Sequence, residues 1–296
     1  MESTAVEALI CPVCGLEFVP TLAGETDLKC IDGHSFDIAR QGYVNLLTGH
    51  GTRFQPDTAS MVEARDNFLD AGHYEPLARK VAALAASALP SERTSTEPPL
   101  IVDAGTGTGY YLRHILDAGT GHSDSVGLDI SKFALRRAAR RNPATVNLVW
   151  DIWQPLPIAA RAADVVVVVF APRNAVEFAR ILRRDGLLIV VTPLPGHLAE
   201  IAEETGMLGI QPEKDAALQQ SLGGHFRAAD VQELRYEMML DPDDVAHVAL
   251  MGPSGHHLDP AVLARRAGSK EPVIVTAAFR ISTFHPLQPD GTNPAE

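Results

Sequence analysis

The sequence is short of cysteine, of basic residues and of long apolar runs, and each shortage removes a class of protein. Only three cysteines occur in 296 residues: Cys11, Cys14 and Cys30, all near the start. An odd number with no partner further along excludes a disulfide-stapled scaffold and points to a reducing compartment, the cytoplasm. The longest apolar run, Val165 to Ala171, has the length of a buried strand and falls far short of the roughly 20 residues that cross a bilayer. No basic stretch followed by an apolar one opens the chain, so neither a secretory leader nor a membrane partner is expected. Lysine and arginine total 25 against 37 aspartates and glutamates, a net charge of −12. That balance excludes a nonspecific nucleic-acid coat protein, which needs clustered cations, while leaving room for local basic patches.

What is present reads as one α/β domain with a small appended module. Hydrophobic residues make up 46% and charged residues 21%, enough apolar material for a sizeable core. Residues 1 to about 40 are turn-rich and carry the cysteines, and residues 41 to 60 read as irregular, punctuated by Gly42, Gly49, Gly51 and Pro56. A helical pattern runs from Ala59 to Leu89 with a break near Gly72, followed by an exposed loop at 90–99. Strand and helix then alternate: strands at 100–104, 125–129, 146–150, 164–170 and 187–192, helices at 110–117, 132–141, 175–183 and 197–204. Repeated βα units of this kind build a parallel, doubly wound sheet. Strands at 234–240 and 273–284 around a helix at 243–250 end it in an antiparallel pair, and the tail from Pro286 is expected to fray.

The loop after the first of those strands is the leading candidate site. Val102-Asp103-Ala104-Gly105-Thr106-Gly107-Thr108-Gly109 places glycines at alternate positions between a strand and a helix. Gly105 permits a sharp turn, Gly107 lets a ligand approach the backbone, and the free N–H groups of the next helix suit an anionic group. The order differs from the dinucleotide fingerprint, because Tyr110 stands where its last glycine belongs. Asp103 would repel a pyrophosphate and suits the ammonium and sulfonium of S-adenosylmethionine. Asp129, twenty residues beyond Gly109, ends the next strand and can accept ribose hydroxyls; Asp151 ends the third and can face the adenine amino group. The bland alternative makes these turn glycines and helix-capping acids.

Cys11-x2-Cys14-x15-Cys30-x3-His34 delivers four zinc donors in two close pairs, with Pro12, Gly15 and Gly33 shaping the turns. Four donors leave no open position, so the ion is expected to be structural and to supply folding free energy to a segment with little core of its own. A redox role for the Cys11–Cys14 pair is the alternative.

These motifs, with Ser35-Phe36-Asp37 and Arg40-Gln-Gly-Tyr43-Val-Asn45-Leu-Leu after the cluster, resemble the N-terminal module of the RlmA family of 23S rRNA guanine-N1 methyltransferases. The resemblance continues through Met61-Val-x-Ala64-Arg65-x3-Leu69-Asp70-x-Gly72-His73-Tyr74-x-Pro76-Leu77, Asp129-x-Ser131-Lys132, Phe170-Ala171-Pro172-Arg173, and Thr192-Pro193 with His197-Leu198. It covers nearly the whole chain apart from the 90–99 loop and the tail. It implies a Rossmann-like class I methyltransferase domain, a mostly parallel seven-stranded sheet, with a small zinc-binding module. It divides the chain into a recognition module at 1–58, linking helices and loop at 59–99, and a methyltransferase domain at 100–285. It further implies zinc on Cys11, Cys14, Cys30 and His34, and S-adenosylmethionine held by Tyr74, Gly107, Thr108 and His197. On the residues alone, Tyr74 reads more readily as packing and His197 as a helix cap.

The implied substrate is a guanine in a hairpin of 23S rRNA. Met251-Gly-Pro-Ser254-x-His256-His257-x-Asp259-Pro260 resembles the tylosin-resistance (TlrB) branch, which implies that branch's guanine in the hairpin and an effect on macrolide sensitivity. A homodimer is a further expectation. In this fold the segment after the fourth strand presents the target base. Phe170 is placed there to stack on it and Arg173 to stabilise charge on the neighbouring carbonyl oxygen, against readings as core filler and surface charge. Lys132, Arg136, Arg137, Arg140 and Arg141 on one helix, and Arg265, Arg266 and Lys270 near the end, are candidate RNA contacts, the helix being equally a solvated face. The rival functions are a methyltransferase for a quinone or antibiotic, a non-catalytic zinc adaptor for RNA, and an NAD-dependent oxidoreductase disfavoured by Asp103 and the glycine order.

Overall fold

The computed structural model describes residues 4–20, 24–49, 51–89, 98–119, 121–207, 222–258 and 271–287. Arg265, Arg266 and Lys270, and the tail from residue 288, lie outside them. Among the described residues the central element is a sheet of eight strands. In chain order these are β3 (Tyr43–Asn45), β4 (Leu100–Ala104), β5 (Asp124–Asp129), β6 (Val146–Val149), β7 (Ala163–Val169), β8 (Leu182–Pro193), β9 (Phe226–Leu240) and β10 (Val273–Pro286). Across the sheet they run β3-β6-β5-β4-β7-β8-β10-β9. The pairs from β3 to β8 are parallel, and β10 pairs antiparallel with both β8 and β9. A small antiparallel ribbon, β1 (Asp27–Lys29) with β2 (Ser35–Asp37), lies in the cysteine-bearing segment.

The central strands are buried on both faces, as their unbroken valine, isoleucine and leucine content requires in a parallel sheet. Alternate residues feed two cores. Val165, Val167 and Val169 pack with α2 (Glu75–Ala88), α3 (Tyr110–Ala118) and α6 (Ala199–Thr205), whereas Val166 and Val168 pack on the other face with α5 (Ala175–Ile181). The N-terminal segment shares that second core: Leu9, Phe18, Leu28, Val44 and Leu46 cluster with Trp150, Ile152 and Ile158. On the opposite face of the same edge, Tyr43 and Val149 receive Leu135 and Ala138 of α4 (Lys132–Arg141).

β9 starts eight residues before the strand read at 234–240, and β8 takes in Leu182 and Arg183, read as helix; two further differences bear on the site. Tyr43–Asn45, read as irregular, is a strand paired in parallel with β6, so the sheet gains a strand at its edge beyond the expected seven. Three residues flanked by Gly42 carry too little alternation to announce a strand; the pairing comes from the partner. Phe170, read as the end of β7, falls outside it, because its backbone turns to φ 54°, the left-handed region that a bulky side chain avoids.

α1 (Ala59–Asp70) is capped by the Thr58 side chain, which accepts from the Met61 amide, and meets α7 (Pro242–Met251). It is also clamped onto α4. Asp66 accepts from Arg137 at 2.5 Å and from Arg141 at 2.7 Å, and Asp70 pairs with Arg141 at 2.8 Å. Two of the four arginines read as candidate RNA contacts thus hold helices together; Lys132 and Arg140 are exposed, and Arg136 is half-buried over the Phe133 ring. No helix among the described residues is long and apolar enough to cross a membrane.

Candidate functional site: a glycine-loop cleft and a Cys/His cluster

The loop from Gly105 to Gly109 lies at the C-terminal ends of the parallel strands, the edge where open α/β sheets bind ligands. Gly105 takes φ 85°, and a side chain there would collide with the Cβ of Ala171. The glycine therefore packs the loop directly against Phe170–Arg173, the segment read as presenting the target. Gly109 serves packing: its carbonyl accepts from Asn142 Nδ2 at 2.8 Å, and a Cβ would meet Ala138 and Asn142 of the α4 end.

Asp103 is 2% exposed, and its Oδ2 accepts from the Thr106 hydroxyl at 2.8 Å. Burial pushes its carboxyl up to about 7; the Thr106 hydrogen bond opposes this and the charge of Asp129 adds to it. Asp129 is half-buried, its Oδ2 accepting from the Gly107 amide at 3.0 Å and its Oδ1 from the Ser131 amide at 2.8 Å. Burial raises its pKa too, against the amide of Ser131. Asp151 accepts from the Thr52 hydroxyl at 2.8 Å and from the Trp153 amide at 3.0 Å, and so ties the chain between β3 and α1 to the end of β6.

Tyr74 and His197, 123 residues apart, meet at 3.0 Å between the phenol oxygen and Nε2. His197 Nδ1 accepts from the Ala278 amide at 3.2 Å, so Nε2 carries the proton of the neutral ring and donates to Tyr74. Burial holds the His197 pKa down at about 4, with Glu200 opposing, so the ring stays neutral at physiological pH. Phe279, Phe68 and Phe170 surround the pair. Phe170 itself is 44% exposed, at the mouth of the cleft. Arg173 is half-buried beside it.

Two buried hydroxyls of this cleft, Thr108 Oγ1 and Tyr111 Oη, have no hydrogen-bond partner among the described residues. Unpaired buried hydroxyls cost free energy, and a ligand that supplies polar atoms relieves it. With the neighbouring carboxylates, this donor set fits a ligand carrying hydroxyls and positive charge, as S-adenosylmethionine does. Tyr111 has no signal in the sequence beyond a polar tip on the helix that follows the glycine loop.

The raised Asp103 pKa has a measurable consequence. A cationic ligand favours the ionised carboxylate, so binding releases a proton whenever Asp103 is protonated beforehand. Affinity for S-adenosylmethionine should therefore rise with pH, by up to about tenfold per unit below pH 7, and level off above. Titration calorimetry between pH 5.5 and 8.5 tests this, and an Asp103→Asn variant should lose the slope. A flat profile in the native protein would refute the linkage.

The four Cys/His donors converge as the spacing predicts. The ligand atoms of Cys11, Cys14, Cys30 and His34 all lie within 4.8 Å of one another. Cys14 and Cys30 sulfurs stand 3.7 Å apart, and Cys30 sulfur is 3.4 Å from His34 Nδ1. Donors about 2.0–2.3 Å from a tetrahedral zinc have such edges, so the set fits one four-coordinate ion. Cys11 and Cys30 are buried in the core shared with the sheet.

A family model described as RlmA, N-terminal, a zinc ribbon, matches residues 9–50, and one described as Methyltransferase domain matches residues 101–186. A Micromonospora griseorubida protein named as a 23S rRNA (guanine-N(1)-)-methyltransferase is 46% identical, covering 97% of this chain and 100% of its own. The 23S rRNA (guanine(748)-N(1))-methyltransferase of Streptomyces fradiae is 42% identical over 90% of this chain and 92% of its own. Among solved structures, a chain from the complex of the Haloferax volcanii Trm112 methyltransferase activator with a methyltransferase superposes with TM-score 0.51 at 18% identity. It covers 79% of this chain and 100% of that one, a likeness of fold. The metal of the ribbon is zinc and the cofactor of the enzyme is S-adenosylmethionine. On the extent of the two curated matches, the chain belongs to the RlmA family of 23S rRNA (guanine-N1)-methyltransferases.

Proposed function

We propose that this enzyme methylates N1 of a guanine 748-type base in a hairpin of 23S rRNA domain II, and thereby alters macrolide sensitivity. The assignment of the base is supported by the 42% identity to the Streptomyces fradiae relative, whose name carries that position. In this reading residues 1–58 recognise the RNA, 59–99 link, and 100–285 hold the cofactor and the base; a second copy of the chain completes a homodimer. The enzyme works in the cytoplasm, where its rRNA substrate is made.

The observation that carries the reading is Phe170, which sits in left-handed backbone at the mouth of the cleft, half exposed, immediately beside the packed glycine loop. Backbone strain of this kind persists only where the surroundings enforce it, and it sets the ring against Tyr74, Tyr111 and Phe279 while the residue stays half exposed. A base extruded from the hairpin stacks on Phe170, while Tyr74, Gly107, Thr108 and His197 hold the cofactor with Asp103, Asp129 and Asp151. Bound S-adenosylmethionine supplies the electrophilic methyl group. The chain's own task is to align N1 with it, exclude water and tolerate loss of the N1 proton. Arg173 stabilises the negative charge that deprotonation leaves on the base carbonyl.

Mapping 23S rRNA from cells with and without the gene tests this, because a methyl on N1 blocks the pairing edge and stops primer extension. A stop at guanine 748 that depends on the gene is expected. A stop elsewhere refutes the base assignment, and no stop with transfer to a small molecule instead would shift the function to that class.

A further inference from the structure

Arg65, on the inner face of α1, belongs to none of the roles above, yet its guanidinium hangs over the middle of the cofactor loop. A Cβ placed on Gly107 would stand 3.6 Å from Arg65 Nη1 and 3.7 Å from its Cδ. The side chain is held there from two sides. Nη1 pairs with Asp57 Oδ2 at 2.6 Å, and Nη2 donates to the carbonyl of Met251 at 2.7 Å. Met251 opens the same late segment that the sequence set apart, and His256 of that segment reaches Asp57 at 3.8 Å. Asp57 is fixed in turn, since its carbonyl accepts from the Ser131 hydroxyl at the start of α4.

The charges around the loop explain why an arginine is wanted. Asp103 and Asp129 suit the ammonium and the ribose hydroxyls of the cofactor, and both repel its carboxylate. Arg65 supplies the opposite sign within range of the same loop: it pulls down the pKa of Asp129, which burial raises and Asp57 raises further. A planar guanidinium with donors to spare after Asp57 and Met251 is suited to a carboxylate. Gly107 leaves open the space between that guanidinium and the loop backbone.

We propose that Arg65 is the receptor for the α-carboxylate of S-adenosylmethionine, preset by Asp57 and by the Met251–His256 segment. The inference rests on reading the glycine loop as the cofactor site and does not depend on which RNA base is methylated.

The test needs no RNA and no turnover. The full-length zinc-loaded protein and its Arg65→Gln variant are titrated with S-adenosylhomocysteine and with S-adenosyl-3-thiopropylamine, which lacks only the carboxylate. The wild type should prefer S-adenosylhomocysteine, and the variant should lose at least about tenfold of that affinity. Affinity for the thiopropylamine should change by less than about twofold, which separates a carboxylate contact from a folding defect. Equal losses for both ligands would make Arg65 a structural clamp and overturn the proposal, as would no loss for either. If the wild type binds neither ligand, the cofactor reading falls and this inference falls with it; a failure to methylate guanine 748 leaves it standing.

Discussion

Stripping the zinc, or replacing Cys30 by Ser, is expected to unfold far more than a surface appendage. Structural zinc sites of this kind contribute on the order of 10 kcal/mol of folding free energy, more than most whole domains have in reserve. Here the ribbon does not stand apart. Leu9, Phe18, Leu28, Val44 and Leu46 belong to the same core as Trp150, Ile152 and Ile158, and Leu9 bridges directly to Ile158. Loss of the ion should expose that face of the sheet and loosen β6 together with the Thr52–Asp151 tie. The expected result is a fall of the unfolding midpoint by well over 10 °C, on the order of several kcal/mol, with weaker binding of S-adenosylhomocysteine. Metal analysis should return one zinc per chain in the native protein. A chelated protein that keeps its unfolding midpoint and its ligand affinity would show the ribbon to be an independent unit.

The second large effect is expected at Gly105. Alanine there must adopt a φ of 85°, which costs an L-residue about 1–2 kcal/mol, and its methyl must displace Ala171 from the segment that carries Phe170. Neither neighbour can yield alone, because the glycine loop and the Phe170–Arg173 segment are packed directly on one another. Turnover by Gly105→Ala should fall by about a hundredfold or more, equivalent to roughly 2.7 kcal/mol of transition-state stabilisation. Ala171→Gly should be mild on its own and should recover part of the loss in the double variant, since it removes the collision and leaves the strained backbone. Strict additivity of the two changes would show that the loop and the Phe170 segment do not press on one another.

How far the sequence carries depends on whether a feature is local. The strand, loop and helix around Gly105 lie within twenty residues, and their glycine order and flanking acids set both the fold and the kind of ligand. The zinc ribbon is equally local, since paired donors on short turns have few geometries open to them. The pairing of Tyr74 with His197 and the position of Arg65 over Gly107 have no such signature. Each joins residues whose own neighbourhoods look like ordinary helix or turn, and only the folded chain brings them together. Arg137 and Arg141 show the opposite error: a local cluster of charge suggested a surface for RNA, and the tertiary fold turned two of its members against Asp66 and Asp70.

The parallel pairing of Tyr43–Asn45 with β6 bears on how a base would be chosen. A recognition ribbon joined by a loose tether can sample many distances from the cleft, and its selectivity then rests on the pocket. A ribbon welded to the edge of the catalytic sheet behaves as a caliper. In the proposed function one jaw is the zinc-bound turn and the other is Phe170, with the sheet between them. On that proposal, selection among neighbouring guanines of one hairpin becomes a measurement of length along the RNA. Altering it would require reseating the jaw at Tyr43 rather than reshaping the cavity that receives the base.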